Sequence, residues 1–279
     1  MGRTAERRAQ RLERRNTGSD LGARIAVALP AAAVGVVLIY VGGLVFAGLA
    51  LVLGVVALGE LFGMYARVRP VRLAGFLGLL GLAVAAYYGG EHYVLLAAVA
   101  FLALLFAVAV ATPGGASATA RMSLTLFGTF WIGMAIAHAI LLRELPHGEA
   151  VIVDVLVGTF IGDSGAYLGG RAFGKRRLAP AISPNKTVEG LVLGMFTAVG
   201  AVVIAGLYQD WLSLGQSALL GLAVAIAAPL GDLFESQVKR DAGTKDAGRL
   251  FGVHGGALDR LDAAFFALVA GYYVWQGML

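Results

Sequence analysis

Residues 25–65 read IAVALPAAAVGVVLIYVGGLVFAGLALVLGVVALGELFGMY, with Glu60 the single charged side chain. About 20 consecutive apolar residues cross the hydrocarbon of a bilayer as a helix, because every backbone N–H and C=O must find its partner inside the segment. As one helix this stretch would run about 60 Å, twice the hydrocarbon thickness. The Gly42-Gly43 pair therefore predicts a tight hairpin between two spans. Further along the chain the same reading places spans at 73–89, 93–112, 122–142, 150–170, 187–207, 216–238 and 261–278, which with 25–41 and 43–65 makes about nine.

The composition agrees with that reading. Of 279 residues, 59% are hydrophobic and 14% charged, with a mean hydropathy of +0.81. Soluble domains carry about 45–50% apolar and about 25% charged residues, so a soluble globular fold is excluded. The 40 glycines follow no three-residue period, which excludes collagen. With no Cys, disulfide frameworks, Cys-ligated zinc, iron–sulfur clusters and thiol nucleophiles are excluded too. The expected architecture is an all-α polytopic membrane protein: a basic arm over 1–24, then a single transmembrane catalytic domain over 25–279.

Cation placement orients it. Arg3, Arg7, Arg8, Arg11, Arg14, Arg15 and Arg24 crowd the arm, which reads as a solvated topology anchor and an uncleaved signal anchor rather than a nucleic-acid-binding segment. With the N-terminus cytoplasmic, nine spans put every Lys and Arg except Arg143 on the cytoplasmic side, as the positive-inside bias requires. The C-terminus then lies outside.

Ionisable groups inside spans are costly, and each is a functional hypothesis. Asp163 and Asp232 fall about 10 Å below the cytoplasmic surface at 1.5 Å per residue, and Glu189, Asp259 and Asp262 open helices on the same side. Asp232, Glu235, Ser236 and Lys239 form one stripe at i, i+3, i+4 and i+7. Asp259 and Asp262 share a face, with Arg260 pointing elsewhere. Carboxylates set among Lys and Arg suit divalent cations bound together with phosphates. The plainer alternative is a set of ion pairs that only fixes the bundle. Glu60 is expected to pair with the Arg67/Arg69 loop, and Asp154 to lie towards the outer face, away from the cluster.

Two loops bear on phosphate. In Ile182-Ser183-Pro184-Asn185-Lys186-Thr187-Val188-Glu189-Gly190, turn and capping residues lead into a helix start, whose free N–H groups and nearby Lys186 suit an anion; an ordinary capped helix start reads equally well. Gly169-Gly170-Arg171-Ala172-Phe173-Gly174-Lys175 imitates a P-loop, yet Arg176 replaces the hydroxyl residue and no strand is expected before it, so that motif is rejected. His254, followed by Gly255-Gly256, could donate a proton, touch a phosphate, or merely sit in a turn.

Ser236-Gln237-Val238-Lys239-Arg240, Lys245-Asp246-Ala247-Gly248 and Phe251-Gly252-Val253-His254-Gly255-Gly256-Ala257-Leu258-Asp259-Arg260-Leu261-Asp262 closely resemble the signature of phosphatidate cytidylyltransferases (CDP-diacylglycerol synthases). Ala257 stands where that signature usually has a larger aliphatic, read as a packing change. Gly162-Asp163-Ser164-Gly165-Ala166-Tyr167 and Ser183–Gly190 look like further blocks of the family. The likeness is sharp over 160–262, whereas 1–150 offers only hydrophobic helices.

The resemblance implies transfer of CMP from CTP to phosphatidic acid, with Mg²⁺ and a possible second cation as cofactors. It also implies an inner-membrane site facing the cytoplasm and a possible homodimer; no nucleic-acid partner is expected. By the same resemblance Asp232 and Asp259 would hold metal, and Lys239, Arg240, Lys245, Asp246, His254 and Asp262 would serve catalysis. Asp163, Ser183, Asn185, Lys186, Thr187, Glu189, Ser236, Gly255, Gly256 and Arg260 would line the substrates. Two other classes stay open: a CTP-dependent polyprenol or phytol kinase, and a secondary transporter with acids at the midplane. CDP-alcohol phosphotransferases are disfavoured, since the chain contains no Asp-Gly pair.

Overall fold

A computed structural model describes residues 33–112, 114, 117–248 and 255–279. The basic arm and His254 lie outside the described residues. The chain divides into two units, Met1–Val41 and Gly42–Leu279. Within the first, helix α1 covers 33–41. The second contains α2 (Gly43–Met64), a 3-10 turn (Ala66–Val68), α3 (Arg72–Ala111), α4 (Ala118–Glu144) and α5 (Gly148–Phe173). Strands β1 (Arg177–Ala179) and β2 (Ser183–Thr187) follow, then α6 (Val188–Gly206), α7 (Leu214–Asp241) and α8 (Leu258–Gln276). Six helices, α2 to α7, are long and apolar enough to cross a membrane. The fold is that of a helical polytopic membrane protein.

The expected spans 73–89 and 93–112 are the two arms of α3. Gly90, at φ 71° and ψ −166°, breaks the helical path. Val71 and Ala74 pack with Phe101, Leu105 and Ala109, and a Cβ on Gly78 would run into the Phe101 ring, so the arms lie antiparallel about Gly90. The all-helical expectation needs one addition, the antiparallel β1–β2 pair, with Arg177 opposite Thr187 and Ala179 opposite Ser183. Pro180 turns it: Ile182 N–H donates to Ala179 C=O at 3.1 Å, a four-residue turn with Pro at its second position.

Capping sets the helix starts. Thr187 Oγ1 accepts from Gly190 N–H at 3.1 Å, and Ser213 and Gln216 form a reciprocal capping box on α7. Small residues set the packing. Gly162 of α5 faces Gly194 and Ala198 of α6, and Gly165 faces Thr197, which lets the two backbones approach as helices do in lipid, where there is no hydrophobic drive between them.

The second unit has two chemically distinct ends. At one, His147 stacks on Trp211 at 4.2 Å, Trp275 Nε1 donates to Pro146 C=O at 2.8 Å, and Gln209 donates to both oxygens of Asp154. Arg143 meets Glu149 there. At the other, Arg121 donates to Arg69 C=O, Tyr65 to Val238 C=O, and Arg240 to Ile182 C=O. The second end collects the basic connections, and the site lies there.

Candidate functional site

A cavity of about 540 Å³ opens between α5, α6, α7 and the β-hairpin. Asp163, Asn185, Lys186, Thr187 and Asp232 line its polar part, and Gly158, Ala198, Val224 and Ala225 its apolar depth. Each polar group has a structural cause. The β-hairpin carries Lys186 to the α6 start, where it forms an ion pair with Asp232 of α7. Asp163 lies on α5 between Gly162 and Gly165, the two glycines that meet α6 closely. Ser236 Oγ, a turn beyond Asp232, donates to its Oδ1 at 3.5 Å.

Beside this cavity stands a second, drier cluster. Lys239 Nζ lies 2.5 Å from Glu235 Oε2 and 2.7 Å from Asp259 Oδ1. Glu235 is fully buried at 0% exposure. Asp259 also accepts from Ala247 N–H at 2.9 Å and Gly256 N–H at 2.7 Å. Burial works against ionising Asp259; the Lys239 ammonium and those two N–H groups outweigh it and hold its carboxyl below the usual range. Asp262, buried one helical turn on, and Asp163 are both close enough to Asp232 to feel its charge. Gly231 of α7 touches the Asp262 backbone, so α7 and α8 meet with nothing between them at this level.

The expected residues separate into groups. Asp163, Asn185, Lys186, Thr187 and Asp232 meet in the cavity, and Lys239, Gly256, Asp259 and Asp262 meet beside it. Arg240 Nε ties the end of α7 to Ile182 C=O at 3.1 Å, and Ser183 sits in the β-ladder. Glu189 does not line the cavity: its Oε2 accepts from Lys175 and Arg176 N–H, pinning the chain between α5 and β1. Lys245 and Asp246 are exposed in the turn after α7, Arg260 is exposed on α8, and Gly255 adopts φ +82°.

Two acids were missed. Glu235 was seen in the stripe but given no role, though it shares Lys239 with Asp259. Glu60 was expected to pair with the Arg67/Arg69 loop. Its Oε1 instead accepts from Ala257 N–H at 3.1 Å and its Oε2 from Leu258 N–H at 2.8 Å. A lone acid in an apolar span was the available signal, but its partners are backbone groups that no sequence letter marks.

The donor set suits a hard divalent ion. Five carboxylates (Asp163, Asp232, Glu235, Asp259 and Asp262) share two paired lysines, leaving acid in excess. Among the described residues no three His, Cys, Asp or Glu side chains converge as a ready ligand shell. One or two of these carboxylates could hold a divalent cation only if the rest of its shell came from other ligands such as phosphate and water.

These features define a helical membrane protein with paired acidic and basic side chains gathered at one end of its bundle. Residues 22–277 match the profile of the cytidylyltransferase family, a family of nucleotidyltransferases, and the chain belongs to it. It is 32% identical over 282 residues to a phosphatidate cytidylyltransferase of Mycobacterium bovis, covering 94% of this chain and 90% of that one. The corresponding protein of Bacillus subtilis is 33% identical over 266 residues, covering 91% and 97%. That of Haemophilus influenzae is 43% identical over 122 residues, or 42% of each chain. The likeness therefore reaches well beyond 160–262, into the N-terminal helices that read only as hydrophobic.

Proposed function

We propose that this chain transfers CMP from CTP to phosphatidic acid, giving CDP-diacylglycerol and pyrophosphate for phospholipid synthesis. The observation that carries the reading is the pairing of Lys186 with Asp232 in the cavity and of Lys239 with Asp259 beside it, in a chain of this family. A phosphate oxygen of phosphatidate attacks the α-phosphorus of CTP in line. The new P–O bond forms as the bond to the β-phosphate breaks, and pyrophosphate leaves with the bonding pair. No protein nucleophile is required, because the attacking oxygen is already anionic.

Lys186 and Lys239 present ammonium groups to the phosphates, and Arg240 and Lys245 supply further positive charge at the rim. The apolar depth of the cavity suits the diacyl part of the substrate. Asp232 and Asp259 would hold Mg²⁺, with Asp163 and Asp262 completing or orienting its surroundings; bound there, it would offset charge on the transferring and leaving phosphates. Catalysis is then mainly positioning and charge neutralisation. In this reading 25–279 is one catalytic domain of nine spans in the inner membrane, its site faces the cytoplasm and the C-terminus lies outside. A homodimer is part of the same proposal.

Purified protein given phosphatidate and CTP labelled at the α-phosphate should move label to lipid only when Mg²⁺ is present. Label transferred from the γ-phosphate to a prenol would instead establish the kinase reading. Metal-independent solute flux in proteoliposomes would establish the transporter.

A further inference from the structure

We infer that Glu60, from α2, is a positioning residue that sets the backbone carrying Asp259. The inference rests on the proposed CMP transfer for its catalytic meaning. Glu60 is far in sequence from the polar cluster, yet both of its oxygens are used: Oε1 accepts from Ala257 N–H at 3.1 Å and Oε2 from Leu258 N–H at 2.8 Å. These are free N–H groups at the start of α8, where the helix has no side-chain cap of its own. A carboxylate there also meets the positive end of the helix.

The surrounding sequence is shaped to this side chain. A Cβ on Gly248 or on Gly256 would collide with the Glu60 carboxylate. Gly256 has no positive φ, and the three atoms nearest to a Cβ built there all belong to Glu60. Glu60 thus sits between the two described ends of the loop joining α7 to α8, at 248 and 256. The residue immediately after these contacts, Asp259, receives Gly256 N–H, Ala247 N–H and Lys239. Glu60 touches none of the groups that meet substrate in the proposed reaction. It acts through the backbone, fixing where the Asp259–Lys239 pair stands.

The test pairs turnover with amide exchange on the full chain in detergent. Glu60→Gln keeps the shape but sets an amide against one of the two N–H groups. Its kcat should fall about 10- to 100-fold, as expected for a small misplacement of reacting groups, while KM for CTP changes less than about twofold and the melting temperature is little altered. Exchange should quicken at Ala257 and Leu258, and also at Ala247, which bonds Asp259 rather than Glu60; a merely local contact would leave Ala247 untouched. Gly256→Ala should lose activity, and Glu60→Asp in the same chain, one methylene shorter, should recover part of it.

Wild-type kcat in Glu60→Gln with unchanged exchange at Ala247 would overturn the inference. So would a loss that tracks a collapse in melting temperature. If the wild-type chain itself transfers no CMP, the proposed reaction fails, whereas the exchange measurement still decides whether Glu60 governs the loop.

Discussion

The two lysines of the site differ in surroundings, and removing each should have a different signature. Lys186 and Asp232 are 29% and 31% exposed at their side chains, so their attraction is weakened by water and contributes about 0–1 kcal/mol to stability. Lys186→Gln should cut CMP transfer at least tenfold with an unchanged thermal transition in detergent, about 1.4 kcal/mol or more off transition-state binding. Lys239 and Glu235 are 15% and 1% exposed, and among the described residues Glu235 pairs with no other ammonium. Stripping one partner from a buried pair costs about 3–5 kcal/mol. Lys239→Gln should therefore lower the melting temperature as well as activity, and equal melting curves for the two variants would contradict this assignment. The acids themselves were legible in the sequence, because a charge in an apolar run stands out against its neighbours. Their partners were only partly so: the helical stripe identified Lys239 with Glu235, whereas the Lys186–Asp232 pair joins a hairpin to a helix and has no spacing to betray it.

At the scale of elements, Gly90 decides how many times the chain turns. Its φ and ψ lie in a region that only glycine occupies readily, costing other residues about 1–3 kcal/mol, and a Cβ there would meet nothing within 4 Å. Gly90→Ala should consequently lower stability through backbone strain alone. Gly81→Ala, at an open helical position of the same element, should be neutral or stabilising by up to about 1 kcal/mol, since alanine is the better helix former. Thermal unfolding in detergent compares the two, and a Gly90→Ala chain as stable as wild type would refute the strained turn. Hydrophobic length located the arms of α3, and Thr187 was legible as a helix cap. The β-hairpin was not, because strands of three and five residues offer too little alternation to separate from loop. Pro180 is what turns it.

At the scale of the whole molecule, the described basic connections of the second unit meet at one end, in line with the expected cation placement. Such asymmetry reflects the cost of moving Lys and Arg across the bilayer and is visible before any packing is known. The absence of Cys permits a direct check. Cys introduced at Arg176 should react with a membrane-impermeant maleimide only in inverted vesicles, and Cys at Tyr208, 88% exposed, only in the opposite orientation. Labelling of both from one side would overturn the topology. What could not be foreseen at this scale was the contribution of α2, since nothing in an apolar helix announces that its lone acid reaches across to another helix's first turn.

The surplus of carboxylates over lysines has a consequence for traffic at the membrane surface. A bare polyanion drawn to this basic end finds its lysines already paired with acids, and a bare cation finds ammonium groups already in place. A visitor that brings both signs together lets the lysines turn to its phosphates while the aspartates take its counterion, so no charge is stranded. In the proposed reaction the pocket would thus act as an electrostatic turnstile, favouring a chelated nucleotide over free phosphate.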